Sequence, residues 1–440
     1  MNIVHLTAGA GGMYCGTCLQ SNTLAAALRA TGHSVLLVPL YTPLRIDEAT
    51  EALPEVAFGG IRAYLQQQWP FFRHLPRRIQ RLLDSPALLH LASRFGQNVR
   101  PERLGALTVS VLRGEQGRLD NQLDELVQWL ARDIQPQVVH FSTGLLAGMA
   151  RRIRQGTDAR MVANLSSEDA FLDRLPDAYR HEAVGLMAQA CSDLDGLVAP
   201  SQFARQRMAK YLHIDPSRID VIRPGLASHG HAHEPRGTTQ TSCEQEGVSN
   251  PGPVLGFLAR ICPEKGLHLL VQAFQRLSRL PAMARLRLRV AGHVGPQDRA
   301  YLAKIRQDLS QAGLAHRFEV FPDPDRTAKL QFLQSLDILC VPAIVPQSKA
   351  LYVIEAFMNG VPVVLPDHGA FHELVHESEG GLLYRPDDAD DLVAKLGELL
   401  LDRSKAKRCA QRCLSCAQRQ FTVARMADEI LALYVRLRNG

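Results

Sequence analysis

Two permanent cations five residues apart, Arg260 and Lys265, stand in the run Gly256-Phe-Leu-Ala-Arg260-Ile-Cys-Pro-Glu-Lys265-Gly266, where a strand pattern gives way to a helical one. In an open α/β sheet that position is the carboxyl end of a strand, the edge at which ligands bind. A guanidinium can fork onto phosphate oxygens, and an ammonium adds a point charge. Further along, Val345-Pro-Gln347-Ser-Lys-Ala350-Leu-Tyr-Val-Ile-Glu355-Ala-Phe-Met-Asn-Gly360 reads as a loop entering a helix. Its backbone N–H groups from about Ser348 to Tyr352, with Ala350 and Leu351 between, would lack intrahelical partners, and Glu355 would put a carboxylate further along the helix. Near the start, the loop Gly9-Ala10-Gly11-Gly12 separates the first strand pattern from the first helix pattern. Glycines there let backbone amides approach an anion, and the helix start adds a favourable dipole. The alternative is a tight turn alone. The loop is neither a dinucleotide fingerprint, since Tyr14 takes the third glycine position, nor a P-loop, since Thr17 follows Gly16.

Other spacings compete. His372-Glu373-Leu-Val-His376 matches the zincin pattern of two histidines one turn apart with a glutamate as base, the remote alternative of a zinc metallopeptidase, but the segment is short and a third ligand is not obvious downstream. Cys15 and Cys18 form one C-x-x-C and Cys413 and Cys416 another, so a four-thiolate zinc site is conceivable. Yet Cys409, Cys413 and Cys416 recur at i, i+4 and i+7, the spacing of one buried helix face. Asp-x-Asp occurs at Asp193/Asp195, Asp323/Asp325 and Asp388/Asp390, and this repetition makes surface acids the better reading than a Mg²⁺ site.

The elements that would carry these residues repeat in two blocks. The first alternates strand and helix through residues 2–7, Leu19–Ala30, Ser34–Val38, Val138–His140, Arg160–Asn164 and Gly196–Ala199. The second does so from Pro253–Leu258 through Gly266–Leu280 and Leu286–Ala291 to Val361–Leu365. Such alternation predicts parallel sheets covered by helices, hence two doubly wound α/β domains. The expected boundaries are 1–226 for the first domain, 227–252 for a polar linker, 253–416 for the second, and 417–440 for a helix packing back toward the first. Residues 61–103 interrupt the plan with Trp69, Phe71, Phe72 and Phe95 among many arginines. They read as packed helices with an Arg-rich outer face, or as an amphipathic insertion touching acidic lipid. At 440 residues, 46% hydrophobic and 21% charged, the chain is ordinary globular protein of more than one core. Its formal charge of +6 suits an anionic small molecule or an acidic lipid surface and is too diffuse for nucleic acid. No apolar run is long enough to span a membrane and the N-terminus has no basic leader. Nine cysteines do not make a disulfide framework, so a cytoplasmic protein is expected, with peripheral membrane contact as an extension.

At these residues the chain resembles the family 4 glycosyltransferases, nearly end to end. The glycine loop before Leu24–Gly32, the Ala199-Pro-Ser201 turn, Arg218–Gly225, Arg260 with Lys265, Ala291-Gly292, Leu336-Asp337 to Pro342, and Gly360-Val-Pro-Val-Val before Gly369 and Glu373 fall in the family's order. The resemblance implies the GT-B fold, two Rossmann-like domains facing across a cleft, and a retaining transfer of a hexose from a UDP- or GDP-type sugar to a hydroxyl acceptor (glycan, lipid or small molecule) without a metal or other cofactor. It implies that Arg260 and Lys265 hold the donor diphosphate, that Glu355 bonds the ribose, that amides near Ala350–Tyr352 meet phosphate, and that Gly11 and Gly12 face the donor. Where the family has a glutamate eight residues before Glu355, this chain has Gln347, and a glycine usual near Ala350 is absent. Those departures raise an alternative, a nucleotide-sugar-binding protein with weakened or lost catalysis. Many members also carry a histidine where Ser166 stands. Glu168 and Asp169 follow it as candidates to orient an acceptor hydroxyl, or as an exposed loop or helix cap, and His140 at a strand end is a further candidate.

Overall fold

The computed structural model describes residues 1–9, 15–53, 56–58, 101–232 and 252–440. These form two compact units, Met1–Gly225 with Val423–Gly440, and Leu226–Thr422. The first holds β1 (Asn2–Thr7), α1 (Gly16–Ala30), β2 (Ser34–Pro39), α2 (Pro101–Leu112), α3 (Asp120–Trp129), β3 (Val138–Phe141), α4 (Ala150–Gly156), β4 (Arg160–Asn164), α5 (Glu168–Leu172), α6 (Asp177–Ser192), β5 (Gly196–Ala199), α7 (Gln202–Leu212) and β6 (Ile219–Val221). The second holds β7 (Val254–Leu258), α8 (Leu267–Leu277), β8 (Arg287–Gly292), α9 (Arg299–Gln311), β9 (Phe318–Pro322), α10 (Arg326–Gln334), β10 (Ile338–Cys340), α11 (Leu351–Met358), β11 (Val363–Pro366), α12 (Ala370–Ser378), β12 (Gly381–Tyr384), α13 (Ala389–Leu401) and α14 (Arg403–Gln420). The last helix, α15 (Val423–Asn439), returns to the first unit.

Each unit has one parallel sheet of six strands, ordered β2-β1-β3-β4-β5-β6 and β12-β11-β10-β7-β8-β9. Both are doubly wound. Successive strand residues face opposite sides, so in the first unit Val4, Leu6, Val139 and Phe141 enter one core. Ile3, Val35, Leu37 and Val138 enter the other, closed by Leu24 and Leu28 of α1 and by Ile430, Leu433 and Tyr434 of α15. In the second unit α8 buries Leu267, Leu270, Val271, Phe274 and Leu277, the i, i+3, i+4, i+7 stripe of a helix laid on a sheet. The strand runs expected from apolar pattern recur within a residue or two. The short edge strands β6 and β12 escaped that reading because three or four residues carry too little periodicity.

The strand order reverses between β1 and β3 in the first sheet and between β7 and β10 in the second. In open α/β sheets ligands bind at the carboxyl edge beside such a switch point. Most of residues 61–103 and of the expected linker, together with Gly11 and Gly12, lie outside the described residues. The linker's first residues are fastened to the second unit: Arg326 donates to His229 O (2.9 Å), and Asn359 Nδ2 lies 2.8 Å from His231 Nδ1.

Candidate active site

Arg260, Lys265 and Gln347 all lie on the two loops that flank the switch point of the second sheet. The loop after β7 is anchored by Ile261 N–H to His293 O (2.8 Å) and meets the loop after β10 through Ile344 N–H to Glu264 O (3.0 Å). Gly266 makes the approach possible. Its φ is +72°, and a Cβ there would stand 1.8 Å from Pro342 O, inside any allowed contact. With the loops this close, Lys265 Nζ donates to Gln347 Oε1, a contact across the switch point. The ammonium also lies 5.4 Å from the centre of the Tyr352 ring, within cation–π range. Gln347 is held from behind as well: its Nε2 donates to Val345 O, and its carbonyl accepts from Ala370 N–H (2.7 Å). Gly369 permits that last bond, because a Cβ at this position would lie 2.7 Å from Gln347 N and O.

Burial, reinforced by the Arg260 charge, pulls the Lys265 ammonium down to about 8. Arg260 itself is exposed at the mouth of the loop. An unfolded chain holds a lysine proton to about 10.4, so between pH 8 and that value the folded protein has released a proton that the unfolded chain keeps. An anion seated on Lys265 reverses this and draws the proton back. Affinity for such an anion is therefore expected to hold below pH 8 and to fall above it, by up to about tenfold per pH unit, with proton uptake on binding. Calorimetry in two buffers of different ionisation enthalpy checks this; a flat profile from pH 7 to 10 would remove Lys265 from the anion contact.

The helix α11 starts at Leu351 from a residue in the left-handed region, Ala350, with φ +50° and ψ +49°. That conformation suits glycine, and alanine there carries about 1 kcal/mol of strain. The amides of Leu351 and Tyr352 open the helix beside Gln347, in its first turn, where N–H groups lack intrahelical acceptors. Ala350→Gly is expected to stabilise the second unit by about 1 kcal/mol, a rise of roughly 2–4 °C in its melting transition. No rise in a scanning experiment would mean that the helix start relaxes around Ala350.

Glu355 lies one turn further along α11, buried with 8% exposure. Its carboxylate meets Lys329 of α10, a buried ion pair with side chains 12% and 10% exposed. Sequence reading missed Lys329. A lysine at an unremarkable place in a polar helix gives no sign that it points inward. Arg260, Lys265, Gln347, Ala350, Leu351, Tyr352 and Glu355 thus share one edge of one sheet.

The candidates on the first unit fare differently. Glu168 is buried and accepts from Thr143 Oγ1 (2.6 Å), Gly144 N–H (3.3 Å) and Ser166 N–H (2.6 Å), so it ties the loop after β3 to the loop after β4. Asp169 is 2% exposed and pairs with Arg207. Both were expected to orient an acceptor hydroxyl, or to lie in an exposed loop or helix cap; they stand in the first turn of α5, not exposed but buried and engaged by protein donors. His140 is completely buried, stacked on His5 at 4.6 Å, with Nδ1 2.6 Å from the Tyr434 hydroxyl of α15. Burial lowers its pKa to about 4, a neutral core ring rather than an acceptor contact. In the zincin-like segment, on α12, His372 Nδ1 lies 2.6 Å from Asp367 Oδ1. Among the described residues no three His, Cys, Asp or Glu side chains are grouped to hold a metal ion. Cys409, Cys413 and Cys416 are buried on the inner face of α14.

Two family models match the chain: Glycosyltransferase Family 4 over residues 97–228 and Glycosyl transferases group 1 over residues 239–413, together well over half of its length. Among curated proteins, the chain is 25% identical to a D-inositol 3-phosphate glycosyltransferase of Nocardia farcinica over 344 residues, covering 76% of this chain and 71% of that protein. It is 32% identical to the protein of the same name from Jonesia denitrificans over 235 residues, covering 51% of this chain and about half of the relative, 53%. Among solved structures, sucrose-phosphate synthase from Thermosynechococcus elongatus superposes with a TM-score of 0.71 at 17% identity, covering 99% of each chain. An Anabaena protein in complex with UDP and glucose gives 0.67 at 14% identity, covering 99% of this chain and 100% of that one. At such identities the structures speak for the fold, two Rossmann-like domains of the GT-B type.

Proposed function

The chain belongs to the family 4 glycosyltransferases, and from that premise we propose that it moves a hexose from a nucleoside diphosphate sugar to a hydroxyl acceptor, retaining the anomeric configuration and using no metal. The observation that carries this reading is the meeting of Arg260, Lys265, Gln347 and the start of α11 across one switch point. In the proposed course, Arg260 and Lys265 take the donor diphosphate, and the Leu351 and Tyr352 amides add neutral donors. Negative charge grows on the leaving phosphate as the sugar–oxygen bond breaks, so preoriented cations and amides favour the transition state over the bound substrate. Two fixed cations and a helix start would do here what a divalent ion does elsewhere. Gln347, positioned by its backbone bond to Ala370, offers hydrogen bonds to sugar hydroxyls, without the charge-assisted strength of a carboxylate. Glu355, paired with Lys329, would accept from the ribose hydroxyls. The acceptor proton would pass to the departing phosphate on the same face, which preserves configuration.

The relatives named for D-inositol 3-phosphate favour a small polyol or sugar acceptor, and the Anabaena protein, solved with UDP and glucose, favours a uridine donor. Calorimetry with UDP and with GDP, each with and without EDTA, tests the donor half of the proposal. We expect one of the two to bind equally well under both conditions. Binding that vanishes in EDTA would overturn the metal-independent reading. Donor binding with neither transfer nor donor hydrolysis would overturn the enzymatic reading and leave a nucleotide-sugar-binding protein disarmed at Gln347.

A further inference from the structure

The chain's formal excess is six positive charges, and α14 alone carries six basic residues with no acid, so the remainder of the sequence balances. Those charges are not spread round the helix. Cys409, Ala410, Cys413, Leu414, Cys416 and Ala417 are buried against the second unit. Arg403, Lys407, Arg408, Arg412 and Arg419 fall on the opposite, exposed half, with only serines and glutamines between them. Acids of neighbouring elements answer two of the six: Glu379 pairs with Arg412 and Glu398 with Lys405. Asp402 caps the helix start through Lys405 N–H (2.9 Å). Arg403, Lys407, Arg408 and Arg419 have no ion-pair partner among the described residues. They span roughly 24 Å of a straight helix at 1.5 Å per residue. Leu401, 56% exposed, stands beside the basic row at its N-terminal end.

We propose that this face of α14 docks the protein on an anionic lipid bilayer. Helix placement favours a flat partner: the inner half of the cylinder is covered, so the outer half presents a row rather than a probe for a groove. The exposed half has no aromatic side chain on which a base could stack, which argues against single-stranded nucleic acid. A leaflet offers a continuous negative surface, to which each juxtaposed Lys or Arg adds roughly fivefold in affinity. Contact of this kind is reversible and screened by salt, because it is carried by charge, with Leu401 as the exposed apolar group at the end of the row. The proposal does not depend on which sugar is transferred.

The test is co-sedimentation of the full chain with vesicles of phosphatidylglycerol and phosphatidylcholine against phosphatidylcholine alone. We expect binding to the anionic vesicles only, lost at high salt. The combined Arg403→Gln, Lys407→Gln, Arg408→Gln and Arg419→Gln variant should bind several hundredfold more weakly, at roughly fivefold per charge, with unchanged melting and nucleotide binding. A companion variant with Arg403→Lys, Arg408→Lys and Arg419→Lys should keep binding, which separates charge from fold. Failure of the wild type to bind anionic vesicles would overturn the proposal, as would equal binding by the glutamine variant. Retention of a duplex oligonucleotide in place of vesicles would also overturn it and reassign the face to nucleic acid.

Discussion

Replacing Lys265 with alanine is expected to lower kcat/KM for sugar transfer by about two to three orders of magnitude while leaving the melting temperature unchanged or slightly higher. Removing one preorganised donor from a developing oxyanion typically forfeits about 3–4 kcal/mol of transition-state stabilisation, and each 1.36 kcal/mol is a factor of ten. The stability half follows from a separate fact. Lys265 is held charged at neutral pH in a desolvated place beside Arg260, so in the absence of an anion its ammonium is a burden on the fold. Its hydrogen bond to Gln347 partly offsets that burden. Arg260→Ala should lose less, because the exposed guanidinium is already screened by water. Turnover by Lys265→Ala within a few-fold of wild type would place the diphosphate elsewhere.

Glu355→Ala should do the reverse and damage the fold first. It strands the Lys329 ammonium in a site where both side chains are nearly covered, and breaking a buried pair from one side costs about 3–5 kcal/mol. In a domain of this size that lowers the melting transition by roughly 10 °C. The double change Glu355→Leu with Lys329→Met removes both charges and should recover most of the loss, since a buried pair replaced by apolar groups is often close to neutral. Activity then separates two roles. If the carboxylate also meets the donor, the double variant regains its melting temperature and stays inactive. If it regains activity as well, Glu355 only holds Lys329. A single Glu355→Ala protein that melts like wild type would mean that Lys329 turns out to solvent.

The strands, helices and two-domain plan were readable because buried parallel strands leave unbroken apolar runs and the helices between them repeat at three and four. Arg260 and Lys265 were readable for a related reason: charges at the end of an apolar run have few structural uses. What was hidden depends on pairings far apart in the chain. His140 looks like a strand-end ligand until Tyr434, 294 residues away, covers it. Glu168 looks like a solvent-facing acid until Thr143, Gly144 and Ser166 turn their donors on it. The mirror case is α14, whose cysteine spacing did reveal its buried face and whose outer charges were visible all along, though not as one row.

The polypeptide passes between the two units twice, after Gly225 and after Thr422, and Leu226 and Thr422 pair there, with Leu226 N–H bonded to Phe421 O (2.9 Å). This gives the units opposite fates on the ribosome. Residues 226–422 are continuous and can close their core as soon as they emerge. The unit made first must wait for the final helix, because Ile430, Leu433 and Tyr434 seal the sheet face that carries Ile3, Val35 and Val138. Until residues 423–439 emerge, that face, with the His5–His140 stack at its centre, stands open to chaperones and to neighbouring nascent chains. A premature stop or a protease cut that removes only the last helix would therefore spare the later-made half and unmake the earlier one.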